Sequence, residues 1–432
     1  MPSFLNLLKT GAVGFGLVLV PLVESAAFAA PILASATRAM EFSSTSTAPV
    51  AVPLRDNGAT SLNFATTVDN QRIVIIYNAE CVVGAPRGTQ LSIKVLVDFI
   101  EALPSSGTDF ALCSAVDTAG GTSASAVRQS VVKVPASGNH TVKIFARLVG
   151  GSGAWRLDDS SLVVQPAVAF ATREDDFQST DVNPVQLPLT QNGAKVLSFP
   201  VSAPNERLKI TYNAECIVAA AQLGKSVRAK INIDGTQQLS DYYLCSSVDS
   251  AGKTWAGAAK QVVFTAPTAG THTAAVFGQL ISSPGTWRMD DSSLVITRDV
   301  LASAVNNDVF SSSSTVEVAV PIKTGGGTVL QFTTAKNNQL VKLTYNGVCG
   351  VEGVRGHWLG LRIEVDGVEA APASGFDFAL CSAVAPLSFY SSSGFRQSVI
   401  AIPNAGVHKV RVFAQMSDAA NWSLQQQSLT VE

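Results

Sequence analysis

The sequence predicts an all-β protein: three tandem antiparallel β-sandwich domains of jelly-roll type, following a signal peptide. Three observations carry this prediction. A set of landmarks recurs three times in one order, the segments between them are short and alternate with a period of two, and no convincing helical spacing follows the N-terminal segment.

The first element is a targeting segment. Met1 to Thr10 carries one side-chain charge, Lys9, and an apolar run follows from Gly11 to Val23. That run is too short for a membrane helix, which needs about 20 residues. Behind it stands Ala27-Phe28-Ala29, the small-x-small pattern of signal peptidase, so cleavage is expected after Ala29 and residues 1–29 are read as a signal peptide. No later stretch is long and apolar enough to span a membrane. The mature chain is therefore expected to be secreted, extracellular or periplasmic, without a membrane span.

The repeat follows. Tyr77-Asn-Ala-Glu-Cys81 returns as Tyr212-Asn-Ala-Glu-Cys216 and, loosened, as Tyr345-Asn-Gly-Val-Cys349. A second cysteine sits in a shared frame at Cys113, Cys245 and Cys381. Then come Arg128-Gln129, Lys260-Gln261 and Arg396-Gln397, then His140, His272 and His408, and finally Trp155, Trp287 and Trp422 ahead of a last apolar strand. Three units result, 42–166, 177–298 and 310–432, joined by expected linkers near 166–176 and 297–308. Each is large enough to fold alone.

Within a unit the strands alternate. Leu208-Lys-Ile-Thr-Tyr212 and Val341-Lys-Leu-Thr-Tyr345 put apolar residues on one face and Lys and Thr on the other. Leu361-Arg-Ile-Glu-Val365 runs into Asp366-Gly367, a hairpin signal matched by Asp234-Gly235. Seven or eight such strands per unit argue for a sandwich.

The composition excludes several functions. Lys plus Arg is 30 against 32 Asp plus Glu, a net charge of −2, so no nucleic-acid partner is expected. Apolar residues make up 47% of the chain, too many for a disordered one. No G-x-S-x-G, H-E-x-x-H or phosphate-loop pattern occurs. No enzyme activity is expected, and no cofactor is required.

One cysteine pair per unit in an exported chain reads as three disulfides: Cys81 with Cys113, Cys216 with Cys245, and Cys349 with Cys381. Each contributes about 3.5 kcal/mol on the loop-entropy account. The three repeated histidines are widely separated and read as strand-start hydrogen-bonding residues. The three repeated tryptophans read as core.

Aromatics and histidines that do not repeat are the candidate ligand-binding residues. Trp255 stands where the sister units have Ser123 and Ser391, with Phe389 and Tyr390 beside the latter; His357 and Trp358 occur in unit 3 only. Exposed aromatics on a rigid β scaffold suit sugar rings, whose C–H faces are apolar.

The closing segment, Trp155-Arg-Leu-Asp-Asp-Ser-Ser-Leu in unit 1 and Trp287-Arg-Met-Asp-Asp-Ser-Ser-Leu in unit 2, resembles the last strand of jelly-roll carbohydrate-binding modules. In that family an Asp at this place often ligates a structural calcium ion. The resemblance thus implies a calcium site at Asp158 and Asp159 and another at Asp290 and Asp291. Unit 3 departs with Gln425 and Gln426. The same sandwich class includes trimeric complement- and tumour-necrosis-factor-like heads, which need no calcium.

The expected function is multivalent, non-catalytic recognition of a glycan or another cell-surface polymer. The alternatives are a self-associating coat or filament protein and a hydrolase whose site sequence does not reveal.

Overall fold

The structure, a computed structural model, describes residues 32–432 except 106, 108, 109, 117, 119, 221–223, 249–252, 282–284, 299 and 385–389. The expected signal peptide lies outside the described residues. No helix among them is long and apolar enough to cross a membrane.

Unit 1 has eleven strands: β1 (Ala34–Arg38), β2 (Phe42–Ser44), β3 (Val50–Ala51), β4 (Leu62–Thr66), β5 (Gln71–Gly84), β6 (Gln90–Val97), β7 (Ile100–Glu101), β8 (Ala111–Ser114), β9 (Ala124–Val134), β10 (Gly138–Val149) and β11 (Ala154–Pro166). One sheet has the order β1-β11-β5-β9, with β2 also on β11. The other has β3-β10-β6-β7, with β4 on β10 and β8 on β6. All pairings are antiparallel, and successive long strands alternate between the sheets, which is the jelly-roll path. Units 2 and 3 repeat the order. The expected fold class is what the structure shows.

The linkers turn out to be strands. Ala169–Arg173 and Ala302–Asn306, inside the segments expected to join units, are the counterparts of β1 and pair with the closing strand of their own sandwich. Each sandwich thus begins ahead of residues 42, 177 and 310.

Burial separates the two sheets. Along β10 every second residue is buried, as one wetted face predicts. Along β5 nearly every residue is buried, so that strand is covered on both faces. What covers it is another unit. Asn213 Oδ1 of unit 2 accepts the Gln129 backbone N–H of unit 1 at 2.9 Å, and Asn213 Nδ2 donates to Val127 O at 3.1 Å. Asn346 of unit 3 does the same with Gln261 and Ala259 of unit 2, at 3.1 and 3.0 Å. Asn78 of unit 1 closes the circle on Gln397 and Phe395 of unit 3, at 3.0 Å each. The Gln129, Gln261 and Gln397 amides donate to Thr211 O, Thr344 O and Ile76 O across the same seams.

Three equivalent seams in one cyclic order make a closed ring. The molecule is an intramolecular pseudo-trimer with approximate threefold symmetry. Val74, Ile76, Val127, Val131, Ala259, Val295 and Phe395, from all three units, form an apolar cluster at its centre.

The seams also explain the loosened third repeat. Glu80 Oε2 accepts the Ala379 N–H at 2.8 Å, and Glu215 Oε2 accepts the Ala111 N–H at 3.1 Å. At the third seam the Glu is Val348, and the facing Phe of the sister units is Tyr242, whose hydroxyl donates to Gly347 O at 3.0 Å. One seam is held by a hydroxyl where two use a carboxylate.

Each unit keeps its own core. Trp155, Trp287 and Trp422 are fully buried, each against an aromatic partner (Phe42, Phe177 or Phe310) with centroids 5.4 Å apart. The three histidines tie hairpins. Nδ1 of His140, His272 and His408 lies 2.6, 2.6 and 2.7 Å from the carboxylate of Asp98, Asp234 and Asp366. The other oxygen of each Asp accepts a backbone N–H at 2.8 Å.

Titration at these places has a predictable sign. The bond to Asp234 raises the His272 pKa, so that tie is complete below the free value near 6.5 and is lost as pH rises through the folded value. At the seam of units 1 and 3, burial lifts Glu80 to about 7 and Asp159 to about 7. The folded state holds those protons longer, so stability present below the unfolded carboxylate values falls as pH climbs through 7. The melting temperature should therefore be lower at pH 8 than at pH 5.5, and Glu80→Gln should flatten the slope. An unchanged slope in that variant would remove Glu80 as its source.

Candidate functional site

The structure joins all six cysteines in the expected pairs. The bridges lie toward one end of the ring, where the serine after each second cysteine reaches the next unit. Ser114 Oγ donates to Trp255 O at 2.7 Å, while Ser246 Oγ donates to Ser391 O and Ser382 Oγ to Ser123 O. Trp255, Ser391 and Ser123 are equivalent positions, so Trp255 holds one place in a second cyclic set of contacts.

A cavity of about 130 Å³ opens at this end, with walls from all three units. Ser114, Ser123, Ser246, Ser382 and Ser393 contribute hydroxyl groups, and Val116, Val248, Val384 and Trp255 contribute apolar surface. Trp255 is not the exposed platform expected. Its side chain is 9% exposed, packed with Ala111 and Ile217, and the Arg288 guanidinium lies 4.8 Å from its ring centroid. Its loop is clamped between units 1 and 2, and burial there outweighs exposure for an indole.

The other nominated residues are not brought together with it. Trp358 opens the strand Trp358–Val365, half-buried, its backbone N–H donating to Ser417 Oγ at 3.0 Å. His357 Nε2 stands 3.6 Å from the Asp418 carboxylate. Phe389 lies outside the described residues. Tyr390 begins the strand Tyr390–Ile402.

The paired aspartates form bulges. Asp159, Asp291 and Gln426 have φ of 45°, 43° and 51°, and the register shifts between Asp158 and Ser161. Asp158 and Asp290 accept the N–H of the following residue at 3.0 and 3.1 Å. The second carboxylate turns into a seam: Arg396 of unit 3 acts electrostatically on Asp159, and Asp291 acts on Arg128 of unit 1. Gln426 and Lys260 occupy the equivalent positions at the third seam. Calcium asks for six to eight oxygens. A neighbouring guanidinium opposes it, and no group of three or more His, Cys, Asp or Glu is placed to hold a metal among the described residues. The residues present do not fit the ion.

A site that sequence reasoning missed stands on unit 1. The β6–β7 hairpin turns at Asp98 and Phe99, with φ of 48° and 68°. A tight turn with positive φ at both positions calls for glycine second. Units 2 and 3 supply it as Gly235 and Gly367, whereas unit 1 places a phenylalanine there. Positive φ strains a bulky residue, and Phe99 is also 83% exposed, next to Ile100 at 66%. Lys143 Nζ lies 5.3 Å from the ring centroid, and the Lys94–Glu101 ion pair of 2.9 Å lies across the same hairpin. His140 and Thr141 hold the Asp98 carboxylate, which ties the turn to β10. Comparing Asp98-Phe99 with the Asp-Gly turns of the sister units is the signal that would have found it.

The fold and these surfaces define a single-chain pseudo-trimer of disulfide-bonded jelly-roll units. No family model matches the chain, and no curated protein matches it. Among solved structures, PNGF-II has 10% identity over 61% of this chain and 65% of its own, with a TM-score of 0.28, so the chain spans less than two thirds of that protein. PNGase F of Flavobacterium meningosepticum has 9% identity over 60% of this chain and 96% of its own, at 0.25. The tandem CBM22 domains of Paenibacillus barcinonensis Xyn10C have 12% identity over 63% and 99%, at 0.17. Likenesses this slight carry nothing over to this chain.

Proposed function

We propose that the protein is an extracellular, non-catalytic recognition protein that binds a glycan, with the Phe99 tip as its contact surface. The observation that carries this reading is a strained, exposed aromatic on a tied hairpin, in the one unit of three that lacks the turn glycine. Its ring offers apolar surface for a pyranose, and Lys143 Nζ, 5.3 Å from the ring centroid, offers a donor for hydroxyl groups. Three disulfides support an oxidising compartment.

A glycan array with wild-type protein and Phe99→Gly tests it. Loss of an aromatic anchor should weaken binding by about 1–3 kcal/mol, or roughly fivefold to 150-fold. The same change relieves the positive-φ strain and should leave the fold intact or stabilise it by about 1 kcal/mol. Equal binding by the two proteins, or no glycan bound by the wild type, would overturn the proposal. Ile100 and Leu103 extend the apolar surface and favour self-association as a second reading; a wild-type oligomer that Phe99→Gly dissolves in size-exclusion chromatography would establish it instead.

A further inference from the structure

At the end of the ring away from the disulfides, a polar cluster is sealed among the three units. The repeat position three residues before Tyr77, Tyr212 and Tyr345 holds Val74, Lys209 and Lys342; the position three residues after Leu162, Leu294 and Leu429 holds Gln165, Thr297 and Glu432. All six are buried. Lys342 Nζ donates to Gln165 Oε1 and lies 2.9 Å from Glu432 Oε2. Gln165 Nε2 donates to Glu432 Oε1 at 3.3 Å, as does Thr297 Oγ1 at 3.3 Å. Lys209 Nζ pairs with Glu432 Oε2.

Two amines therefore share the Glu432 side-chain carboxylate in a buried region. Burying charge is expensive. Burial drives the Lys342 pKa well below that of a free lysine, favouring its neutral, nucleophilic form. Burial alone would raise Glu432, but Lys209 and Lys342 hold it down at about 2. The resulting arrangement is a Glu432 carboxylate between two buried lysines, one of which, Lys342, also touches a carboxamide.

We propose that Lys342 of unit 3 and Gln165 of unit 1 join in an isopeptide bond that closes the ring covalently, with Glu432 as proton carrier. The Nζ lone pair attacks Cδ of Gln165, and Glu432 Oε2 takes a proton from the attacking nitrogen. The proton passes through the carboxyl group to Nε2, which rests on Oε1, and the Cδ–Nε2 bond breaks. Amine plus carboxamide gives a secondary amide and ammonia, with no oxidant or other co-reactant. Fixed proximity supplies the advantage that makes such a step feasible without an enzyme.

Peptide mapping of the wild-type protein, reduced and denatured, tests this directly. The expected result is a cross-linked species containing Gln165 and Lys342, lighter than its two peptides by about 17 Da, the mass of ammonia. It should be absent from Lys342→Met and lost or slowed in Glu432→Gln. Linear peptides alone from the wild type, or a link from either lysine to Glu432 with loss of water, would overturn the assignment. The wild-type map decides the matter even if a variant fails to fold.

Discussion

Asn78→Ala is expected to open the seam between units 1 and 3. Asn78 Oδ1 accepts the Gln397 N–H, and its Nδ2 donates to Phe395 O and to Ala126 O, all in a fully buried setting. Truncation leaves the Gln397 N–H and the Phe395 carbonyl without these partners. Each unsatisfied group costs about 1–3 kcal/mol, so the expected loss is about 2–6 kcal/mol. Urea unfolding measures it, and hydrogen exchange should place the new opening in Gln71–Gly84 and Tyr390–Ile402. Because the ring has three equivalent seams, Asn213→Ala and Asn346→Ala should lose comparable amounts. A loss below 1 kcal/mol at all three would mean that the seams do not hold the ring.

Trp287→Ala should be the most damaging core change in unit 2. The indole is fully buried against Phe177, and removing a buried tryptophan costs about 3–5 kcal/mol through lost burial and the cavity left behind. In a chain of independent domains only the middle one would melt early. In a closed ring unit 2 is held by units 1 and 3, so calorimetry should show one transition shifted as a whole. A separate low-temperature transition would show that the units unfold alone despite their seams.

Tyr-Asn-x-x-Cys, Arg/Lys-Gln and the repeated histidines and tryptophans were all visible as landmarks in the sequence, but only some could be interpreted there. Cysteines in matching frames pair within a unit because each repeat must close its own bridge. Trp155, Trp287 and Trp422 are core because the same large apolar residue in every copy has the same inner face to fill. Asn78, Asn213 and Asn346 could not be assigned, since a hydrogen bond to a different unit leaves the same repetition as one within the unit. Lys209 and Lys342 illustrate the limit most clearly. Alternation puts them on the polar face of their strands, and that face meets other units instead of water.

Phe99 was legible in principle. It breaks the Asp-Gly turn of its sister units, and subtracting one repeat from another exposes it without coordinates. Trp255 was not, because an indole in a Ser- and Gly-rich loop reads the same whether the loop faces solvent or a neighbouring unit. Its burial depends on Ala111 and Ser114, 144 and 141 residues earlier in the chain.

By itself the sequence determined the all-β class, the three units and the three disulfides, because period-two burial, turn residues and repeated cysteines are local signals that each unit obeys separately. Only the tertiary structure decided that the units close into a ring. Closure depends on which sheet face each unit offers its neighbour, through Asn78, Asn213 and Asn346 on one side and Gln397, Gln129 and Gln261 on the other. Those contacts form between residues more than 80 positions apart, and for the last seam more than 300, where no local periodicity reports them.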